Sequence, residues 1–180
     1  MLQRIQTLWL VLAACCMAMC FLTPVAKYHM EIASMEQTVV SELNLITKDA
    51  PDINQLMIVK GATIEYGQQL TGFATWPLIV LACVVIGVAV VSILLFKNRV
   101  AQMRIVAIGF LLNVVYVFLV FFWAVDAYAD AIPPAMHDAA PQVTWMAGAY
   151  LPIASLVFFV LAHRGIKKDE AKVRAADRLR

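Results

Sequence analysis

Four apolar runs, at about residues 8–26, 76–96, 105–125 and 143–162, alternate with polar breaks along the chain. Each is close to the ~20 residues that an α-helix needs to cross ~30 Å of hydrocarbon. The pattern predicts an all-α membrane protein, a single integral domain over residues 1–180. Four transmembrane helices in up-and-down order form its bundle. The breaks differ in character. Residues 27–72 form the one sizeable polar segment, residues 97–104 a short basic hairpin, and residues 126–142 a short acidic loop. Residues 163–180 form a charged tail expected to be helical.

Local signals refine the pattern. Leu12-Ala13-Ala14-Cys15 after Arg4 matches a lipoprotein signal box. The chain stays apolar through Cys16, Met17, Ala18, Met19, Cys20, Phe21 and Leu22, however, so an uncleaved span is the better reading and lipidation of Cys15 the lesser one. In the polar segment Met30, Ile32, Met35, Val39, Leu43 and Ile46 recur at mostly three- and four-residue steps, which predicts an amphipathic helix. Asp49-Ala50-Pro51-Asp52 ends it. Lys60-Gly61 between Met57-Ile58-Val59 and Ala62-Thr63-Ile64-Glu65-Tyr66 suggests a short hairpin. Pro77 suits a first helical turn, and Pro152 within the fourth run predicts a kink near Gly148.

Composition sharpens the class. The chain is 63% hydrophobic and 14% charged, against ~45–50% and ~25% in soluble domains. Of its 14 basic residues, Arg4, Lys97, Arg99, Arg104, Arg164, Lys167, Lys168, Lys172, Arg174, Arg178 and Arg180 fall on one side of the bilayer. Only Lys27, Lys48 and Lys60 fall on the other. By the positive-inside rule both termini and the hairpin are cytoplasmic. Trp76, Trp123 and Trp145 then lie at the outer ends of their spans, where amphipathic rings favour the headgroup level.

Candidate chemistry is sparse. Cys15, Cys16, Cys20 and Cys83 lie within predicted spans without metal-site or redox spacing and read as small apolar packing residues. His29, His137 and His163 sit at span ends, which argues against paired haem ligands. A metal site at His29 and His137 is the lesser reading, and no cofactor is expected. An ionisable residue buried at mid-span is the usual mark of a pump, channel or proton relay, and none occurs here. The most polar group there is Asn113, with Tyr116 nearly one turn on. These two are the candidate intramembrane polar site, through a bond across the bundle or as the lining of a substrate path. An enzyme acting on lipid would need Asp126, Asp130 and Asp138 with His137. No phosphate loop, hydrolase triad or zinc-protease motif occurs. The basic residues Lys97, Arg99, Arg104, Lys167, Lys168, Arg174 and Arg178 are the candidate partner-binding set. For the tail residues among them, attraction to anionic headgroups is the plainer reading. Nucleic acid would want a larger basic footprint.

Three stretches carry a resemblance. They are Met1-Leu2-Gln3-Arg4-Ile5-Gln6-Thr7, the Leu95–Arg104 hairpin, and His163-Arg164-Gly165-Ile166-Lys167-Lys168-Asp169-Glu170 with Asp177-Arg178-Leu179-Arg180. Together, in that order, they resemble a family of uncharacterised four-span bacterial membrane proteins known as domain of unknown function 4293, over essentially the whole chain. The resemblance implies the inner (cytoplasmic) membrane of a Gram-negative-type bacterium and brings no activity, substrate or site residues. With these motifs clustered at the cytoplasmic face and no charge at mid-span, the expected function is non-enzymatic. It is that of an accessory or scaffolding subunit, presenting the hairpin and tail to a protein partner or a second copy within the bilayer. A small-molecule transporter or channel, and then a lipid-acting enzyme, are the alternatives.

Overall fold

A computed structural model describes residues 2–32, 37–43, 45, 76–131 and 142–177. The order is α1 (Leu2–Met19), β1 (Ala26–Ile32), β2 (Gln37–Leu43), α2 (Trp76–Leu94), a 3-10 turn (Leu95–Lys97) and α3 (Arg99–Leu119). A π-helical turn (Val120–Ala124), α4 (Val125–Ala131), β3 (Gln142–Trp145) and α5 (Ala147–Asp177) follow. Trp76–Leu94, Arg99–Asp130 and Ala147–Val173 are long and apolar enough to cross a membrane, and Ile5–Met19 is a shorter apolar helix. The described residues are mostly helical rather than all-α, and the chain forms two compact units.

The first unit comprises residues 1–19, 80–117 and 150–180. Each helix buries one stripe at three- and four-residue steps, as a helix facing a core must. Leu10, Ala13 and Met17 form it on α1, Ala82, Val85 and Ala89 on α2, and Val106, Gly109 and Asn113 on α3. On α5 it runs through Pro152, Ser155, Phe159, Ala162 and Ile166. Glycine permits the tightest junction. A Cβ at Gly109 would lie 2.9 Å from the Phe159 ring and 2.9 Å from Val88 Cγ1, so α3 approaches both α2 and α5 there. Trp9 stacks on Phe158 with ring centroids 5.8 Å apart, and Ser155 Oγ donates to the Ala13 carbonyl at 3.2 Å. Those contacts set α5 antiparallel to α1.

The second unit comprises residues 20–79 and 118–149. Its described core is an antiparallel sheet in the order β2-β1-β3. Lys27 pairs with Glu42 on one side of β1 and with Thr144 on the other. Of the amphipathic helix expected from Met30 to Ile46, the described residues Met30–Ile32 and Gln37–Leu43 form paired antiparallel strands instead. A three- or four-residue step is only one period in this stretch. Tyr28, Met30 and Ile32 also alternate, and Thr38, Val39 and Val40 are β-branched, which favours a pleated strand once a neighbour supplies the ladder. That neighbour, β3, occupies the start of the expected fourth span. The expected hairpin at Met57–Tyr66 lies outside the described residues.

The other boundaries move for related reasons. The first helix runs Leu2–Met19, starting and ending earlier than expected; beyond it Val25, next to β1, donates to the Leu43 carbonyl at 2.8 Å. Helix α5 starts at Ala147, so no helix precedes Gly148 for Pro152 to kink. Instead the Gly148 N–H donates to the Pro24 carbonyl at 3.0 Å. A Cβ at Gly148 would meet Pro24 O at 2.5 Å, so only glycine allows this approach. Residues 126–131, expected in a loop, are helical in α4. The π turn, for which the hydrophobic pattern held no signal, sets their phase. Buried positions run 113, 116, 120 and then 124, 125, 128. One extra residue in the turn offsets the helix by about 100°, and beyond it Val125 and Tyr128 are buried in the second unit.

Candidate functional site

Several buried polar side chains of the first unit, Gln6, Ser92, Gln102 and Asp169, lie toward one end, where α1 begins, α2 turns into α3, and α5 runs on into the charged tail. Gln6 and Asp169 are both buried, at 6% and 8% exposure. The Gln6 side-chain amide donates to the Asp169 carboxylate. Gly165, one turn before Asp169, leaves room for Gln6: its Cβ would lie 3.1 Å from Gln6 Cγ. Ile166 is buried beside them. A carboxylate at this burial needs a donor, since leaving it unpaired costs roughly 1–3 kcal/mol or more. Gln6 is that donor. The base of the tail is therefore held by the bundle instead of hanging from it.

The basic hairpin is equally built. The Asn98 N–H donates to the Leu95 carbonyl at 3.0 Å, closing the 3-10 turn. Asn98 Oδ1 accepts from the Ala101 N–H at 3.2 Å, an N-cap for α3. Gln102, 4% exposed, donates from Nε2 to the Ser92 carbonyl at 3.0 Å. This ties the end of α2, whose last carbonyls lack helical partners, to the first turn of α3.

Of the residues read from the sequence as partner-binding, Lys97 ends the 3-10 turn, Arg99 is half-buried in the first turn of α3, and Arg104 is exposed. Lys167 and Lys168 are exposed on α5, Arg174 lies in its last turns, and Arg178 lies outside the described residues. Asn113 and Tyr116 are fully buried on α3. Asn113 Nδ2 donates to the Pro152 carbonyl at 3.3 Å, and its Oδ1 has no partner among the described residues. Asp126 and Asp130 are exposed on α4, while His137 and Asp138 lie outside the described residues. Among the described residues no three His, Cys, Asp or Glu side chains group closely enough to hold a metal ion. Cys15 and Cys83 are exposed, Cys16 is half-buried and Cys20 is buried, and none of the four forms a disulfide among the described residues.

Sequence reasoning passed over Gln6, Gln102 and Asp169. Each was legible only as a polar residue near a span end, and its burial depends on what another helix places opposite. Tyr28 was missed as well. Its ring packs on Tyr128 at 4.8 Å, and its hydroxyl donates to the Val125 carbonyl at 2.8 Å. Burial, then Tyr128 and the Asp126 carboxylate, push the Tyr28 phenol well above its ordinary range.

No curated protein and no solved structure matches the chain. A family model does, over residues 2–179. With essentially its whole length matched, this chain, whose long apolar helices suit a membrane protein, belongs to the family described as Domain of unknown function (DUF4293).

Proposed function

We propose that this is a four-span protein of the bacterial inner membrane with both termini cytoplasmic. On this reading it is a small accessory or scaffolding subunit that presents its inner end to a protein partner. The observation that carries the reading is the length and anchoring of α5. It is one helix of 31 residues, about 46 Å at ~1.5 Å per residue, against ~30 Å of hydrocarbon. About 16 Å of helix therefore extends beyond the apolar layer. The Gln6–Asp169 contact lies at its base, so the exposed Lys167, Lys168 and Lys172 ride on a fixed support. A rigid, charged rod is pre-organised for docking, because less ordering entropy is lost on binding. Helix α1, with 18 residues, supplies the fourth crossing at the short end of the usual range. The basic asymmetry of the sequence orients all four.

The test is purification of the tagged chain from its native membrane in mild detergent, with mass spectrometry of what accompanies it. A stoichiometric protein companion is expected, and it should be lost from a chain ending after Glu170. A lone species in both cases overturns the reading. Weight then passes to a transporter, the reading favoured by the fully buried Asn113, whose Oδ1 has no partner among the described residues, beside Tyr116. Solute flux in liposomes, compared between the wild type and Asn113→Leu, tests that alternative.

A further inference from the structure

The outward faces of two helices change from apolar to cationic at matching positions. On α3 the buried residues Gln102, Val106, Gly109 and Asn113 leave Ile108, Leu111 and Val115 exposed on the opposite face. Arg104 heads that exposed row. On α5 the exposed row runs Tyr150, Ile153, Val157 and continues at helical spacing to Arg164 and Lys168. Two contacts give the register between these antiparallel helices, Gly109 against Phe159 and Asn113 with the Pro152 carbonyl. Both put Arg104 within about one turn of the level of Arg164. Neither arginine has a carboxylate partner among the described residues. At the same end, around the tight turn, Leu94, Phe96 and Val100 are 69%, 50% and 44% exposed.

We propose that Arg104 and Arg164 bind the phosphate of anionic phospholipid in the inner leaflet, with Leu94, Phe96 and Val100 seated at the headgroup–acyl boundary. A guanidinium presents a planar fork that pairs two phosphate oxygens at once. Its aliphatic stem lies along apolar surface while its head reaches the interface. The apolar rows on the same faces, reaching Ile108 one turn from Arg104 and Val157 two turns from Arg164, decide the occupant. An acidic soluble protein could satisfy the two charges but would leave those rows uncovered, whereas one lipid offers acyl chain and phosphate in the required order. An anionic headgroup is favoured over a zwitterionic one because it carries no cation of its own to compete with the arginine. Arg104 is thereby reassigned from the partner-binding set, and the tail beyond Arg164 remains the surface for a protein.

The inference rests on the membrane reading above but not on the existence of a partner. The purified chain is placed in nanodiscs of phosphatidylcholine, alone or mixed with phosphatidylglycerol, and retained lipids are measured by native mass spectrometry. Phosphatidylglycerol should be enriched several-fold over its bulk share in the wild type. The enrichment should fall to the bulk share in the Arg104→Gln, Arg164→Gln double variant and persist in Lys172→Gln. Adding inorganic phosphate to phosphatidylcholine discs should leave the thermal midpoint unchanged. No enrichment in the wild type, full enrichment in the double variant, or stabilisation by free phosphate each overturns the proposal. If the double variant does not fold, the wild-type comparison decides alone, with Arg104→Lys, Arg164→Lys expected to keep part of the enrichment. Failure to enter either disc would count against the membrane reading itself, so the two failures are distinguishable.

Discussion

At the scale of single residues, close approach and buried polarity set the sensitive positions. Gly109→Ala would set a methyl 2.9 Å from both the Phe159 ring and Val88. Overpacking of this kind costs about 1–3 kcal/mol, so a lowered midpoint in detergent melts is expected. Gln6→Ala leaves the Asp169 carboxylate buried without its donor, and a loss of about 1–3 kcal/mol is expected. Replacing both residues by alanine should be less harmful than the two single losses summed, a coupling that a double-mutant cycle reads directly. Tyr28 makes a pH prediction. Its folded-state pKa is raised, so above about pH 10 the unfolded chain gives up this proton while the folded chain keeps it. Unfolding then releases a proton, and stability falls as pH rises beyond 10. Tyr28→Phe should lose the bond to the Val125 carbonyl and flatten that alkaline fall, measured as the midpoint against pH.

At the scale of elements, the π turn gives a sharp test. It holds one residue more than regular α-helical phase requires, so deleting the exposed Phe122 should close it to α-helix and leave Tyr128 facing Tyr28. Deleting the equally exposed Leu111, which lies in regular helix, should rotate everything beyond it by about 100°. The first deletion is expected to keep most of the thermal stability and the second to abolish folding. The hairpin between α2 and α3 behaves as an element too. Asn98→Ala removes the N-cap at Ala101, and a loss of about 1 kcal/mol is expected.

At the scale of the whole molecule, the basic asymmetry makes the orientation testable. Reporter fusions at the C-terminus and in the Leu95–Asn98 turn should both read cytoplasmic, and one placed after Leu45 should read external. Any other pattern would undo the assignment of the inner end. It would also remove the basis for both the partner-docking tail and the lipid-binding arginines.

Much of this was legible in the chain itself. Trp76–Leu94 and the long helix from Arg99 could be read from run length alone, because hydrocarbon forbids an unsatisfied backbone and an apolar run of ~20 residues has few alternatives to helix. The basic residues of the hairpin and tail were legible for the same reason, since charge is excluded from those runs. The polar segment was not, because its apolar positions fit both a helical and a strand period. Residues 142–145 resolved that ambiguity by pairing with β1 from more than a hundred positions away. The π turn, the held base of the tail and the common level of Arg104 and Arg164 were likewise hidden. Each depends on which face a neighbouring helix covers, and packing between distant segments leaves no period in a single sequence.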